Sequence, residues 1–158
     1  MSTQHSNLSD YDMSNVPSGD NLSIGLVVSE WNEDITESLY KGAYDTLVEC
    51  GVLSNNIKRI NVPGSFELVY GSKKMIQSNV DVVIAIGCVI KGETEHFNYI
   101  CQSVSNGIID LNINFNTPVV FCVLTDNNKQ QSVDRSGGKH GNKGVEAAIT
   151  ALKLSVIK

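Results

Sequence analysis

Several large protein classes are excluded by what this chain lacks. No basic stripe or arm is present: 12 lysines and arginines stand against 17 aspartates and glutamates, a formal charge of −5. That balance does not suit a nucleic-acid binder, whose affinity comes largely from neutralising phosphates. No apolar run reaches the ~18 residues expected of a membrane-spanning helix, so no membrane partner is expected. Cysteines at 50, 88, 101 and 122 sit in apolar segments without C-x-x-C spacing. A domain of 158 residues hardly needs crosslinks to hold a core. Reduced, buried cysteines in a cytoplasmic protein are therefore the expectation. His5, His96 and His140 share no ligand spacing, so no metal site is expected. Internal repeats are also absent.

The first twenty residues, MSTQHSNLSDYDMSNVPSGD, are polar and carry no arginine. They have neither the apolar centre of a secretory signal nor the basic amphipathic character of a transit peptide. Residues 1–21 read as an N-terminal tail, either mobile or ordered only against a neighbouring subunit. One domain over 22–158 follows.

Within that domain, apolar strands alternate with helical patterns. Ile24-Gly25-Leu26-Val27-Val28 is too short for a helix. Ile35, Leu39, Ala43, Leu47 and Cys50 then recur at helical spacing, closed by Gly51 as a C-cap. A second strand is predicted over Ile57 to Val62 and a second helix over about Phe66 to Gln77. Val80 to Ile90 is apolar on both faces, as a central parallel strand must be. Phe97, Ile100, Cys101, Val104, Ile108 and Leu111 trace a third helix. Val119 to Thr125 is the fourth strand, followed by a short helix near 127–135 and a glycine-rich turn. Val145, Ala148, Ile149, Leu152 and Val156 mark a last helix. The pattern predicts an open three-layer α/β domain with a parallel sheet and helices on both faces.

Ligands of such sheets bind outside the carboxyl ends of the strands, where strand order reverses. The residues able to do chemistry fall there. Trp31-Asn32 follows the first strand, Ser65-Phe66-Glu67 the second, and Lys91 to His96 the third. An indole beside an asparagine suits a flat aromatic ligand. Phe66, taken alone, reads as core, and Glu67 as an ordinary charge at a helix start. His96, about two residues into a helix, has a side chain able to accept and return a proton near neutral pH. The helix start itself favours an anion, but Glu93 and Glu95 would repel one. The cluster Arg135-Ser136-Gly137-Gly138-Lys139-His140-Gly141-Asn142-Lys143-Gly144 offers the offsetting cations, from the same chain or a neighbour. A small phosphorylated substrate fits this combination.

These blocks together resemble one family. Val62-Pro63-Gly64-Ser65-Phe66-Glu67, then Gly87-Cys88-Val89-Ile90-Lys91-Gly92-Glu93-Thr94-Glu95-His96-Phe97, then Arg135 through Gly144 are similar to the lumazine synthases of riboflavin biosynthesis. The resemblance runs from about residue 22 to the end. It implies a flavodoxin-like fold with a four-stranded parallel sheet, no metal or organic cofactor, and a condensation of 5-amino-6-(D-ribitylamino)uracil with 3,4-dihydroxy-2-butanone 4-phosphate. By position, Trp31, Asn32, Ser65, Phe66, Glu67, Cys88, Val89 and Ile90 would bind the ribitylaminouracil, joined by Phe121 of an adjacent subunit. Glu93 and Thr94 would hold the butanone phosphate, with Arg135 and Lys143 reaching it across the subunit interface. His96 would carry the proton. Cys88 departs from a position often held by threonine or alanine, and backbone contacts should tolerate it.

The resemblance further implies a homopentamer, and the short turn Gly137 to Asn142 favours a 60-subunit icosahedral shell. Riboflavin synthase is a further implied partner. Two other classes compete. A signalling receiver domain would need acidic residues after strand one and an aspartate after strand three, where this chain has Trp31-Asn32 and Cys88 to Lys91. A non-catalytic flavin-binding or shell-forming homologue should have lost His96 or Arg135, and both are present.

Overall fold

The computed structural model describes residues 7 and 9–157; His5 lies outside them. Four strands form one parallel sheet: β1 (Ile24–Ser29), β2 (Ile57–Val62), β3 (Val82–Ile90) and β4 (Val119–Asp126), in the order β2-β1-β3-β4. Ile24 pairs with Ile57 on one side and Val82 on the other, and Val83 pairs with Val119. Every residue of β1 is buried, whereas the outer strands expose residues to solvent, Lys58 and Asn61 on β2 and Phe121 and Thr125 on β4. This is the burial expected of central and edge strands in a covered parallel sheet.

The alternation of side chains along each strand divides the core in two. Ile24, Leu26 and Val28 of β1, with Val82, Ile84, Ile86 and Cys88 of β3, pack under α1 (Glu33–Glu49) and α5 (Lys143–Ser155). Val27, Val83 and Ala85 face the opposite way, under α2 (Leu68–Ile76) and α3 (His96–Asn114). The helix stripes read from sequence supply the facing residues: Ile35, Leu39, Ala43 and Leu47 on α1, Val104, Ile108 and Leu111 on α3. Gly51 ends α1 at φ 99°, a left-handed conformation that glycine adopts without steric penalty. At the α1–α5 crossing, a Cβ on Gly144 would lie 1.9 Å from the Leu39 carbonyl oxygen, so only glycine lets the two backbones approach.

Several local readings change. α2 begins at Leu68 rather than Phe66, because Ser65 to Glu67 form the turn whose Ser65 carbonyl receives the Leu68 N–H at 3.2 Å. His96 is the first residue of α3, with Glu95 as its N-cap. Phe97, Ile100 and Cys101 from the third stripe are only partly buried. After α4 (Lys129–Arg135), the glycine-rich turn is a small antiparallel ladder, β5 (Ser136–Gly138) with β6 (Gly141–Asn142). Asn142 pins it: its Nδ2 donates to the Ser38 carbonyl at 2.9 Å, while its Oδ1 caps α5 through Gly144 N–H at 2.8 Å. Cys50, Cys88 and Cys122 are buried free thiols, and Cys101 is half-buried. Of the N-terminal segment, Ser9 Oγ accepts from Asn142 N–H at 2.9 Å and the Tyr11 hydroxyl donates to Glu49 at 3.1 Å. No helix among the described residues is long and apolar enough to cross a membrane.

Candidate active site

Chain connections diverge between β1 and β3. The helix after β1 covers one face of the sheet and the helix after β2 covers the other, leaving a crevice at the carboxyl edge. A cavity of about 630 Å³ opens there, lined by Trp31, Asn32, Gly64, Ser65, Phe66, Glu67, Cys88, Val89, Ile90, His96 and Ile100. Its size suits a small organic ligand. All three strand-end loops contribute.

The first loop is stitched to the second strand. Glu30 N–H donates to the Val62 carbonyl at 2.9 Å and Trp31 N–H to the Pro63 carbonyl at 3.2 Å. Trp31 is left 73 % exposed, with its indole free to stack on a flat ligand. Asn32 takes a left-handed conformation, φ 59° and ψ 47°, which asparagine tolerates better than most residues. That turn starts α1 and directs the Asn32 amide across the crevice, where Nδ2 donates to the Cys88 carbonyl at 3.0 Å.

The second loop presents Phe66, 54 % exposed, and Glu67, the N-cap residue of α2, whose side chain caps nothing. Phe66 is therefore a cavity wall and not core, and Glu67 is free to accept hydrogen bonds from a ligand. Gly64 keeps the loop close: a Cβ there would meet Glu67 Oε2 at 3.1 Å and Trp31 Cδ1 at 3.8 Å. The third wall is the end of β3, Cys88 to Ile90, and the start of α3. His96 is exposed, its backbone N–H lying 3.4 Å from Thr94 Oγ1. Burial pushes the Cys88 thiol up to about 11, so a proton stays on the sulfur.

Glu67, Cys88 and His96 are the titratable residues of the lining, and no lysine or arginine is among them. The other residues singled out from sequence lie elsewhere. Glu93 and Thr94 are exposed on the approach to α3. Phe121 sits on β4, 37 % exposed. Arg135 ends α4, where its Nη1 donates to the Gln131 carbonyl at 3.0 Å. Lys143 opens α5 and pairs with Glu146 at 2.5 Å. Lys139 pairs with Asp134 at 3.0 Å, and hydrogen bonds from Gln130 and then Lys139 hold that carboxyl below its usual range. Among the described residues no group of three or more histidines, cysteines, aspartates or glutamates is placed to hold a metal.

Two lining residues were not foreseen. Ile100 lies one turn beyond His96 on α3 and was read as core from its place in an apolar stripe. Gly64 belongs to the Val62 to Glu67 block, but its closeness to both Trp31 and Glu67 follows from the turn geometry alone.

Comparison with known proteins identifies the family. Residues 21–158 match the family model described as 6,7-dimethyl-8-ribityllumazine synthase. The chain is 58 % identical to the 6,7-dimethyl-8-ribityllumazine synthase of Flavobacterium johnsoniae, across 100 % of this chain and 84 % of that protein. Identity to the protein of the same name from Christiangramia forsetii is 56 %, across 100 % and 95 %. For Porphyromonas gingivalis it is 56 %, across 98 % and 97 %. At this identity over the full domain, the chain belongs to the 6,7-dimethyl-8-ribityllumazine synthase family.

Proposed function

We propose that the cavity condenses 5-amino-6-(D-ribitylamino)uracil with 3,4-dihydroxy-2-butanone 4-phosphate to give 6,7-dimethyl-8-ribityllumazine. The observation that carries this reading is the convergence of Trp31, Glu67 and His96 from three loops on one cavity. Trp31 supplies a stacking face for the pyrimidine. Ser65, Phe66 and Glu67, with Asn32 and the strand end Cys88 to Ile90, supply the apolar walls and hydrogen-bonding groups for the ring and its polyol.

The chemistry asks for alignment and proton movement. The ring amine attacks the ketone and water leaves, forming an imine. Phosphate is then eliminated, and the ribityl-bearing nitrogen closes the second ring with loss of another water. His96, which lines the cavity with Ile100, carries protons between these steps. Holding two reactants in line can itself supply roughly 7–11 kcal/mol in favourable cases. Orientation is the larger contribution here, and general acid–base help from His96 the smaller.

The phosphate needs positive charge that the lining lacks. Glu93 and Thr94 stand where it would enter at the start of α3, and Arg135, assisted by Lys143, reaches it from an adjacent subunit that also contributes Phe121. Exposed apolar side chains support such a neighbour: Tyr99, Ile109 and Ile113 on α3 are 69 %, 54 % and 74 % exposed. Large apolar groups gathered on one helix are characteristic of interaction surfaces. A homopentamer, and a shell of about sixty copies built from it, is the assembly this reading favours, acting in the cytoplasm and able to pass its product to riboflavin synthase.

His96→Ala is expected to lower turnover while leaving it measurable, within the roughly 10²- to 10⁴-fold range of proton-transfer catalysis. Complete loss of lumazine formation with substrate binding intact would contradict the ranking of orientation over proton transfer. Arg135→Ala should raise KM for the butanone phosphate, since a hydrogen bond to a charged group contributes about 1.5–3 kcal/mol. An unchanged KM in steady-state assays rules out the phosphate assignment. Sedimentation of the purified chain should give a particle of about five or about sixty subunits; a monomer would refute the shared site.

A further inference from the structure

The seven-residue helix α4 has no apolar face in the core. Its buried residues are Ser132 and Asp134, both polar, while Val133 is 39 % exposed. A helix this short is not stable by itself, so its position depends on what those polar groups bind. Asp134 looks outward to Gln130 and Lys139. Ser132 looks inward.

Ser132, fully buried, donates its hydroxyl to Asp126 Oδ2 at 2.8 Å. Cys88 Sγ lies 3.4 Å from the same Ser132 oxygen. With its proton retained, the thiol is the donor, so the chain runs from thiol to hydroxyl to carboxylate. Asp126 is 7 % exposed and Cys88 2 % exposed. A carboxylate, a hydroxyl and a thiol from β4, α4 and β3 thus meet in the interior. Buried polar groups are costly unless satisfied, and a satisfied set defines one arrangement of the elements that carry it.

The two ends of this chain touch different parts of the proposed chemistry. Cys88 lines the cavity, and its carbonyl holds Asn32. Ser132 lies one helical turn before Arg135. The Asp126 main chain closes the structure beneath, its carbonyl accepting from Lys91 N–H at 2.9 Å.

We propose that Asp126, Ser132 and Cys88 form a positioning network that fixes α4 against the ends of β3 and β4, and so sets the Arg135 it carries for the neighbouring subunit's cavity. This rests on the reading of Arg135 as a phosphate ligand. None of the three touches the phosphate; they act through the helix.

The test compares Ser132→Ala, Asp126→Asn, the double variant Ser132→Ala with Asp126→Asn, and Arg135→Ala, each in the full chain as it assembles. Ser132→Ala should raise KM for the butanone phosphate roughly tenfold, with kcat changed by less than about twofold, as expected of a misplaced binding group. Asp126→Asn keeps an acceptor for Ser132 and should keep KM within about twofold of the parent. The double variant strands no charge. It should regain thermal stability relative to Ser132→Ala and still show the raised KM; it carries the comparison if Ser132→Ala alone fails to accumulate. Recovery of KM together with stability would reduce the network to a structural role and overturn the proposal. A raised KM in Arg135→Ala beside an unchanged KM in the serine variants overturns the network alone. An unchanged KM in Arg135→Ala overturns the phosphate reading, and the network's role with it.

Discussion

The pairing of β1 with β3 is the constraint on which the site depends. With Ile24 opposite Val82 and Val28 opposite Ile86, the two strands reach the carboxyl edge side by side. The helices that follow β1 and β2 then leave on opposite faces of the sheet. The crevice between them is a consequence of topology, and the Asn32 amide spans it to reach the Cys88 carbonyl. A one-residue slip in that register would turn the Cys88 side chain, and every other side chain of β3, from one face of the sheet to the other.

On this frame the cavity divides its labour. Aromatic and apolar walls come from Trp31, Phe66, Val89 and Ile90, a carboxylate from Glu67 and an imidazole from His96. Positive charge is kept away from the lining and placed on α4 and α5. The proposed reaction needs both, and Arg135 and Lys143 are not among the residues that line the cavity of their own protomer. In the proposed assembly, closure of copies around an axis would bring them together, each copy lending to one neighbour what it borrows from the other.

Much of the fold was legible from residue pattern alone. Val82 to Ile90 is apolar on both faces because a central parallel strand is covered twice, and Ile35 to Leu47 marks α1 because only one stripe of that helix meets the sheet. The small ladder after α4 was not legible, since Ser136 to Asn142 has no apolar period and is held by Asn142 hydrogen bonds to the Ser38 and Ser136 carbonyls. Phe66 misled for a related reason: an aromatic at a helix start gives no sign of which side the turn will present. Ile100 satisfied the helical stripe yet stands where α3 emerges beyond the sheet edge, so the same spacing that buries Val104 leaves it facing the cavity. The convergence of the three strand-end loops could be foreseen, because in a parallel sheet every such loop emerges at the same edge.

Hybrid assembly tests the shared site most directly. Arg135→Ala subunits, with an intact cavity, would be unfolded and reassembled together with subunits carrying Trp31→Ala and Glu67→Ala, which keep Arg135. In an equal mixture about a quarter of cyclic contacts should pair an intact cavity with an intact arginine. With the butanone phosphate well below the KM of the arginine variant, the account predicts lumazine formation well above the sum of the two separately reassembled variants. Activity equal to that sum would place the arginine in its own subunit's site or outside the chemistry altogether.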